Sequence, residues 1–425
     1  MKNKKGSLLM VLMVSIVMSF CAFPSFAASK PGRLVKIEFW HKDIGFKQQL
    51  YEKYIKEFET QNPNIKVEIT QIRNEDYKSK LPIAFSGNNA PDVFFTWGGG
   101  WLKEFVKSGN VLDVSGKINT SPFLKPALTN STFNSKLYGV PLGMDMDFIF
   151  YNKEIFSKYK LSIPKTWPQL ITTCEVLKKN GVIPFTLANQ PKWPGSFFFM
   201  YLVDRIGGPE VFKNALSRNG GSFSDPAFIE AGEEIQKLVK LNAFNPGFNG
   251  LMYDSGPGRQ LFYSEQTAMM LLSNTFVNLM RSEAPSFEKK MGIFPFPAYE
   301  GGKGDPSNMV GIAAPVWSVY SRTKYPNESI KLIKFLTGQK ISQEYANGSG
   351  SISARKDVNS TDTFVQQVEN MTKKAKNIQM VYDQTLPPEI AQAHLSTTQE
   401  LFGLTITPKA AAETVESKAK SVLDK

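Results

Sequence analysis

Cysteine and histidine are both scarce in this chain of 425 residues, with two of each. Cys21 and Cys174 form no Cys-x-x-Cys pair, and His41 and His394 form no His-Glu-x-x-His helix. Neither a structural zinc site nor a zinc-hydrolase motif is therefore written here. Gly301, Gly302 and Gly304 surround Lys303 but lack the Gly-Lys-Ser/Thr of a phosphate loop, and no Gly-x-Ser-x-Gly elbow occurs. No repeat period and no long low-complexity tract is present. The expectation is a chain with no metal, no cofactor and no catalytic residue. Net charge is +12, but the basic residues are spread along the chain and form no stripe, so nucleic acid is not an expected partner.

The length supports two or more hydrophobic cores, because single cores seldom exceed about 250–300 residues. The amino terminus reads as a secretion signal over residues 1–27. Lys2, Lys4 and Lys5 give the positive end, Leu8 to Phe20 the apolar run, and Ser25-Phe26-Ala27 the small residues before a cut at Ala28. The run is too short to read as a membrane-spanning helix. Cys21 offers an alternative, lipid attachment, although Met18-Ser19-Phe20 lacks the small residue such a site wants at −1. Either way the protein is expected outside the cytoplasm, periplasmic or at the cell surface. Cleavage leaves Cys174 alone, which excludes an internal disulfide, and its apolar helical surroundings read as core. Loss of the three lysines lowers the net charge to +9.

Leu34 to Trp40 alternates apolar and polar residues, as a strand does. Residues 46–59 carry Leu50, Tyr54 and Phe58 on one helical stripe, stopped by Asn62-Pro63. Ile65, Val67 and Ile69 give a second strand and Glu75 to Phe85 a second helix. Pro91-Asp92 then introduces Val93-Phe94-Phe95, a third strand, which runs into Trp97, three glycines and Trp101. Strand, helix, strand, helix, strand is the pattern of a parallel sheet with right-handed crossovers. Ligands in such sheets bind beyond the carboxyl ends of the strands. Trp97 stands there, either facing a ligand or capping the strand as core. Further on, strands are expected at Asp145–Tyr151, Met269–Leu272, Gly292–Pro297 and Val316–Tyr320. Helices are expected after Asn152, after Thr166, near Phe228–Leu241 and at Glu328–Leu336. The last 40 residues read as mostly helical.

Several segments, in this order, carry a likeness to a known family: "FETQNPNIKV" from Phe58, "APDVFFTWGGGWLKEFVKSGNVLDV" from Ala90, "YGVPLGMDMDFIFYNKEIF" from Tyr138, "KTWPQL" from Lys165, "GIAAPVWSVYSRTKYPNESIKLIKFLTG" from Gly311 and "GSISARKDV" from Gly350. The chain resembles the extracellular solute-binding proteins of ABC importers, in the carbohydrate-binding group that includes the maltose-binding proteins. The resemblance implies an α/β, two-lobed periplasmic-binding-protein-like fold, each lobe a mostly parallel sheet flanked by helices, with the ligand cleft between lobes. It implies a first lobe of residues 33–143 plus 317–350 and a second of 144–316 plus 351–425. It implies an oligosaccharide captured by hinged lobes, delivery to membrane permease subunits, and a monomer.

A neutral sugar offers an apolar face to aromatic rings and hydroxyls to carboxylates and amides. The candidates for these contacts are Trp40, His41 and Asp43 after the first strand, Trp97, Asp145, Trp193, Ser273, Asn274 and Trp317. Asp147 shares a strand face with Asp145; two ordinary salt-bridged aspartates are the plainer reading of that pair. Trp193 is read at a turn, with a surface-packing tryptophan as its plainer reading, and a solvated turn is that of residues 40–43. Arg355, Asp383, Tyr253 and Arg259 are further candidates. A secreted glycosidase is the competing function, because Asp145 and Asp147 are two carboxylates at an undetermined separation.

Overall fold

The computed structural model describes residues 33–424. The signal segment 1–27 and Cys21 lie outside the described residues. Among the described residues no helix is long and apolar enough to cross a membrane.

Two sheets organise the chain. The first runs Ile65–Gln71, Val35–His41, Val93–Thr96, Val316–Val319, Val140–Pro141. Its first three strands are parallel, joined by the helices Phe46–Gln61 and Asn74–Ser86. In Val35–His41 the alternate residues Val35, Ile37, Phe39 and His41 are buried while Lys36 and Glu38 are exposed, so a period of two seats the strand on its core. The helix Phe46–Gln61 buries Leu50, Tyr51, Tyr54, Ile55 and Phe58 against that sheet, and Lys47 lies in phase with them.

The second sheet is built around Gly143–Asn152, ten residues buried on both faces except at Tyr151. Thr267–Ser273, Met309–Ala313, Met291–Phe294 and Ile352–Ser353 all pair with it antiparallel. Parallel pairs occur further out, Ile183–Thr186 with Thr267–Ser273 and Ile378–Met380 with Met309–Ala313. This sheet is therefore mixed where mostly parallel pairing was expected. One long strand serves four partners that arrive from distant parts of the chain running the other way, without the crossover that a parallel neighbour requires.

The chain passes between the sheets at three places that lie side by side. Leu142 N–H donates to Pro315 O at 2.9 Å, Ala314 N–H to Gly143 O at 3.1 Å, and Ala354 N–H to Leu142 O at 3.0 Å. Trp193–Gly207, expected to begin as a turn, is instead a helix with proline in its first turn. It is buried nearly all round, so its sequence has no polar face from which a helical period could be read. Helices Pro209–Ser217 and Pro226–Lys240 follow it, and Pro388–Phe402 and Pro408–Leu423 end the described chain.

The triple glycine after Val93–Thr96 has a packing role. Gly98 and Gly99 have φ of 70° and 61°, and Asn130 braces the turn, its side-chain amide donating to Trp97 O at 2.7 Å. A Cβ on Gly99 would lie 2.2 Å from Gln384 O, and one on Gly100 would lie 2.4 Å from Leu386 O. Bare backbone is thus what lets the helix Gly99–Lys107 rest on the chain at 384–386. Gly220 also has positive φ, at 68°, but nothing lies within 4 Å of its Cβ position. Gly99→Ala is expected to destabilise by more than about 2 kcal/mol, and Gly220→Ala by about 1 kcal/mol, when both are measured by denaturant unfolding.

Candidate functional site

A cavity of about 280 Å³ lies between the two sheets. The first lobe supplies residues from the carboxyl ends of its strands and the helix starts that follow them, including Lys42, Asp43, Lys47 and Trp97. The second supplies Asp145, Asp147, Ser273 and Thr275, together with Trp193, Tyr253 and Asp383.

Lys47 is the best-held charge at this boundary. It is 3 % exposed, and its ammonium donates to Thr275 Oγ1 at 2.8 Å and Ser351 Oγ at 3.0 Å. It stands 3.8 Å from Asp145 Oδ2 and 5.0 Å from the centre of the Tyr345 ring. Burial opposes its charge most strongly, but Asp145, Tyr345 and Asp43 together outweigh burial and hold the lysine above its ordinary range. The same turn is fastened through the main chain. Lys47 N–H donates to Asn278 Oδ1 at 3.3 Å, and Asn278 Nδ2 donates to Ile44 O at 3.0 Å.

The carboxylates differ in their surroundings. Burial would raise Asp43, but Lys42, Lys47 and His41 outweigh it, helped by the Tyr51 hydroxyl donating at 2.8 Å, and its pKa falls to about 2. Burial raises Asp145 despite the pull of Lys47. Asp147 rises much further, through burial and then the like charges of Asp145 and Asp383.

The aromatic groups come from both lobes. Trp97 lines the cavity but is only 6 % exposed; Phe95 and Trp101 each meet its ring edge-to-face at 4.9 Å. Trp193 is half-buried, and its indole N–H donates to Glu75 Oε1 at 3.3 Å across the cleft. Tyr253 supports it edge-to-face at 4.9 Å. Arg259 stacks on Tyr253 at 5.1 Å and is fixed by two bonds to Glu283, at 2.8 and 2.6 Å.

Asp43, Trp97, Asp145, Trp193 and Ser273 thus come together at the cavity, and four other candidates do not line it. Trp317 is fully buried in the middle of the first sheet, against Phe39 at 4.8 Å and Tyr51 at 5.1 Å. His41 points to that same core, because it continues the buried set of its strand. Trp40, on the alternate face, packs against the core from outside the cavity. Asn274 is spent on the crossings: its Oδ1 accepts from Met146 N–H at 2.5 Å, and its Nδ2 donates to Gly350 O at 2.6 Å. Arg355 pairs with Asp357 at 2.6 Å and also lies off the cavity, whereas Asp383, Tyr253 and Arg259 line it. Lys47 was not among the candidates. Its signal was a lysine in phase with the apolar stripe of its helix.

Two sheets, three adjoining crossings and a cavity between the halves, lined by indoles and carboxylates, define a two-lobed protein built to enclose a ligand. The chain belongs to the bacterial extracellular solute-binding protein family, whose model matches residues 47–342. A "multiple sugar-binding protein" of Streptococcus mutans is 26 % identical over 365 residues, covering 84 % of this chain and 83 % of that one. A solved structure titled for xylan utilisation by the thermophilic bacterium Caldanaerobius polysaccharolyticus is 28 % identical, with a TM-score of 0.85, over 90 % of this chain and 100 % of that one. A raffinose complex of the solute-binding protein RafE, at 22 % identity and TM-score 0.76 over 91 % and 99 %, shares the fold.

Lys47→Met is expected to destabilise the protein by about 3 kcal/mol, because it strips donors from Thr275 and Ser351 and the counter-charge from Asp145. The loss should grow as pH rises above the ordinary aspartate range, since an unpaired Asp145 keeps its proton in the folded state while the unfolded chain gives it up. Adding Asp145→Asn should recover part of the loss and flatten that pH dependence in denaturant titrations.

Proposed function

We propose that this chain captures a neutral oligosaccharide between its lobes, outside the cytoplasm, and presents it to the permease subunits of an ABC importer. The observation that carries the reading is that Trp193 and Trp97, from opposite lobes, line one cavity together with Asp145 and Asp147. Indole faces suit the CH face of a pyranose, and carboxylates suit its hydroxyls. Similarity to sugar-binding relatives supports it, as does the "ABC transporter extracellular-binding protein" of Pyrococcus horikoshii, 26 % identical over 90 % of this chain. On this reading the lobes are residues 33–143 plus 317–350 and 144–316 plus 351–425. They close by rotation at the three crossings, and the mature monomer begins at Ala28 or is anchored at Cys21. The chain binds its sugar and leaves it intact.

A thermal-shift panel of xylo-, chito- and raffinose-type oligosaccharides tests the reading. A true ligand at one hundred times its Kd should add about 2.7 kcal/mol to the folded state, and a panel without any stabilising sugar would count against the proposal. Incubation with the same sugars should release no new reducing ends. Trp193→Ala should weaken binding by roughly 1–3 kcal/mol. Trp193→Phe, which keeps a ring but loses the bond to Glu75, should act mainly by faster dissociation in stopped-flow measurements.

A further inference from the structure

The chain contains four Asn-Gly pairs, beginning at Asn180, Asn219, Asn249 and Asn347. In such a pair the glycine nitrogen has no side chain beside it and can reach the asparagine side-chain carbonyl. The fold decides which pairs are free to do so, and three are held. Asn180 Nδ2 donates to Val176 O at 2.8 Å, and Gly181 N–H donates to Lys178 O at 2.9 Å. Asn249 Oδ1 accepts from Asn189 Nδ2 at 2.7 Å, its Nδ2 donates to Gln399 O at 3.0 Å, and Gly250 N–H donates to Gly247 O at 3.0 Å. Asn347 Oδ1 accepts from Thr361 N–H at 2.9 Å and from Gln343 Nε2 at 3.1 Å, while Gly348 ends the helix Gln339–Gly348 against the ring of Phe46.

Asn219 is held in none of these ways. It is exposed, two residues past the helix Pro209–Ser217. Among the described residues neither its side-chain amide nor the Gly220 N–H has a hydrogen-bond partner, and the space beside Gly220 is open. Its flanks, in contrast, are fastened to the helix Pro408–Leu423 and the residue after it. Arg218 gives Glu416 two bonds, at 2.7 and 3.1 Å, and Asp424 two more, at 2.8 and 3.2 Å. Phe223, whose ring is buried, donates its N–H to Glu416 Oε2 at 2.8 Å. Gly221 lies so close to the preceding helix that a Cβ there would stand 2.6 Å from Ala215 N. Residues 218–223 are therefore a strap tied at both ends to one carboxylate, with Asn219-Gly220 as its free apex.

We propose that Asn219 is a site of spontaneous covalent modification, converting to aspartate and isoaspartate, and that the isoaspartyl form loosens the hold of the strap on the helix Pro408–Leu423. The Gly220 nitrogen attacks Cγ of Asn219 and gives up its proton. The new N–Cγ bond closes a five-membered imide as the Cγ–Nδ2 bond breaks, and the side-chain nitrogen leaves with that proton as ammonia. Water then opens the imide. Addition at Cγ restores the ordinary main chain with an aspartate side chain. Addition at the main-chain carbonyl frees that carbon as a carboxylate and routes the chain through Cβ and Cγ, which lengthens it by one methylene. A longer strap no longer matches the span between Arg218 and Phe223, both of which are set by Glu416. Exposed loop tips are where such changes meet least resistance from the surrounding fold.

The experiment ages the full chain, without ligand, in warm and mildly alkaline buffer. Samples are mapped at intervals by proteolysis with mass spectrometry and by labelling with an isoaspartyl methyltransferase. Conversion at Asn219 should run roughly tenfold faster than at each of the other three asparagines, whose hydrogen bonds must open first. In denaturant, where those bonds are lost, all four should convert at similar rates. Equal rates in the folded chain, a faster conversion at another pair, or the same lead for Asn219 in denaturant would each overturn the inference. Asn219→Ser lacks the leaving amide and is the control for the strap. Aged wild type should melt lower than fresh wild type and be cut sooner by trypsin within Pro408–Leu423, whereas aged Asn219→Ser should match its fresh sample. Isoaspartate at Asn219 with melting and digestion unchanged, or Asn219→Ser weakening with age as wild type does, would overturn the role given to the strap.

Discussion

A buried ammonium group is costly unless it is fully partnered, and Lys47 meets that condition only through groups of both lobes. Its own helix belongs to the first sheet, while Thr275, Ser351 and Asp145 belong to the second. The relative placement of the halves is therefore coupled to the solvation of one charge. Asn278 adds a main-chain bond at the same turn, which fixes how the helix Phe46–Gln61 enters the boundary. The floor of the cavity inherits its electrostatics from this arrangement. Asp43 stays ionised beside two lysines, Asp145 is partly compensated, and Asp147, one alternation further from Lys47, is left to its acidic neighbours.

The balance of groups is the physical ground for proposing an uncharged, hydroxyl-rich ligand. The cations of the lining are held in local pairs and the surplus is in acceptors. Aromatic surface from Trp193 and Tyr253 is braced by the Arg259–Glu283 pair rather than free to rotate. Pre-set partners of this kind reduce the ordering that binding would otherwise require.

Much of the framework could be read from the chain alone. Val35–His41, Ile65–Gln71 and Val93–Thr96 announce themselves by alternation or by short apolar runs between turn residues, and the helix Phe46–Gln61 by its stripe. Trp193–Gly207 did not, because a helix apolar on all sides has lost the contrast that periodicity measures. Among the residues that line the cavity, Asp43, Asp145 and Ser273 are marked in the sequence by their place at strand ends. Trp317 and His41 instead continue the buried sets of their strands, and their strand neighbours Trp40 and Ser318 do not line the cavity either. Asn274 shows a different limit: it adjoins the cavity-lining Ser273, but its amide is consumed by the main chain of Met146 and Gly350. Lys47 was legible in principle, as a cation in an apolar phase.

The bond from Trp193 to Glu75 has a practical corollary. Of the six tryptophans, Trp167 and Trp317 are sealed in the core, whereas the Trp193 indole takes its polar partner from the facing half of the molecule. Parting the halves would change the surroundings of that chromophore while those two stay as they are. On the hinged reading proposed above, the protein would carry an intrinsic emission gauge of its own opening, with no dye or added label.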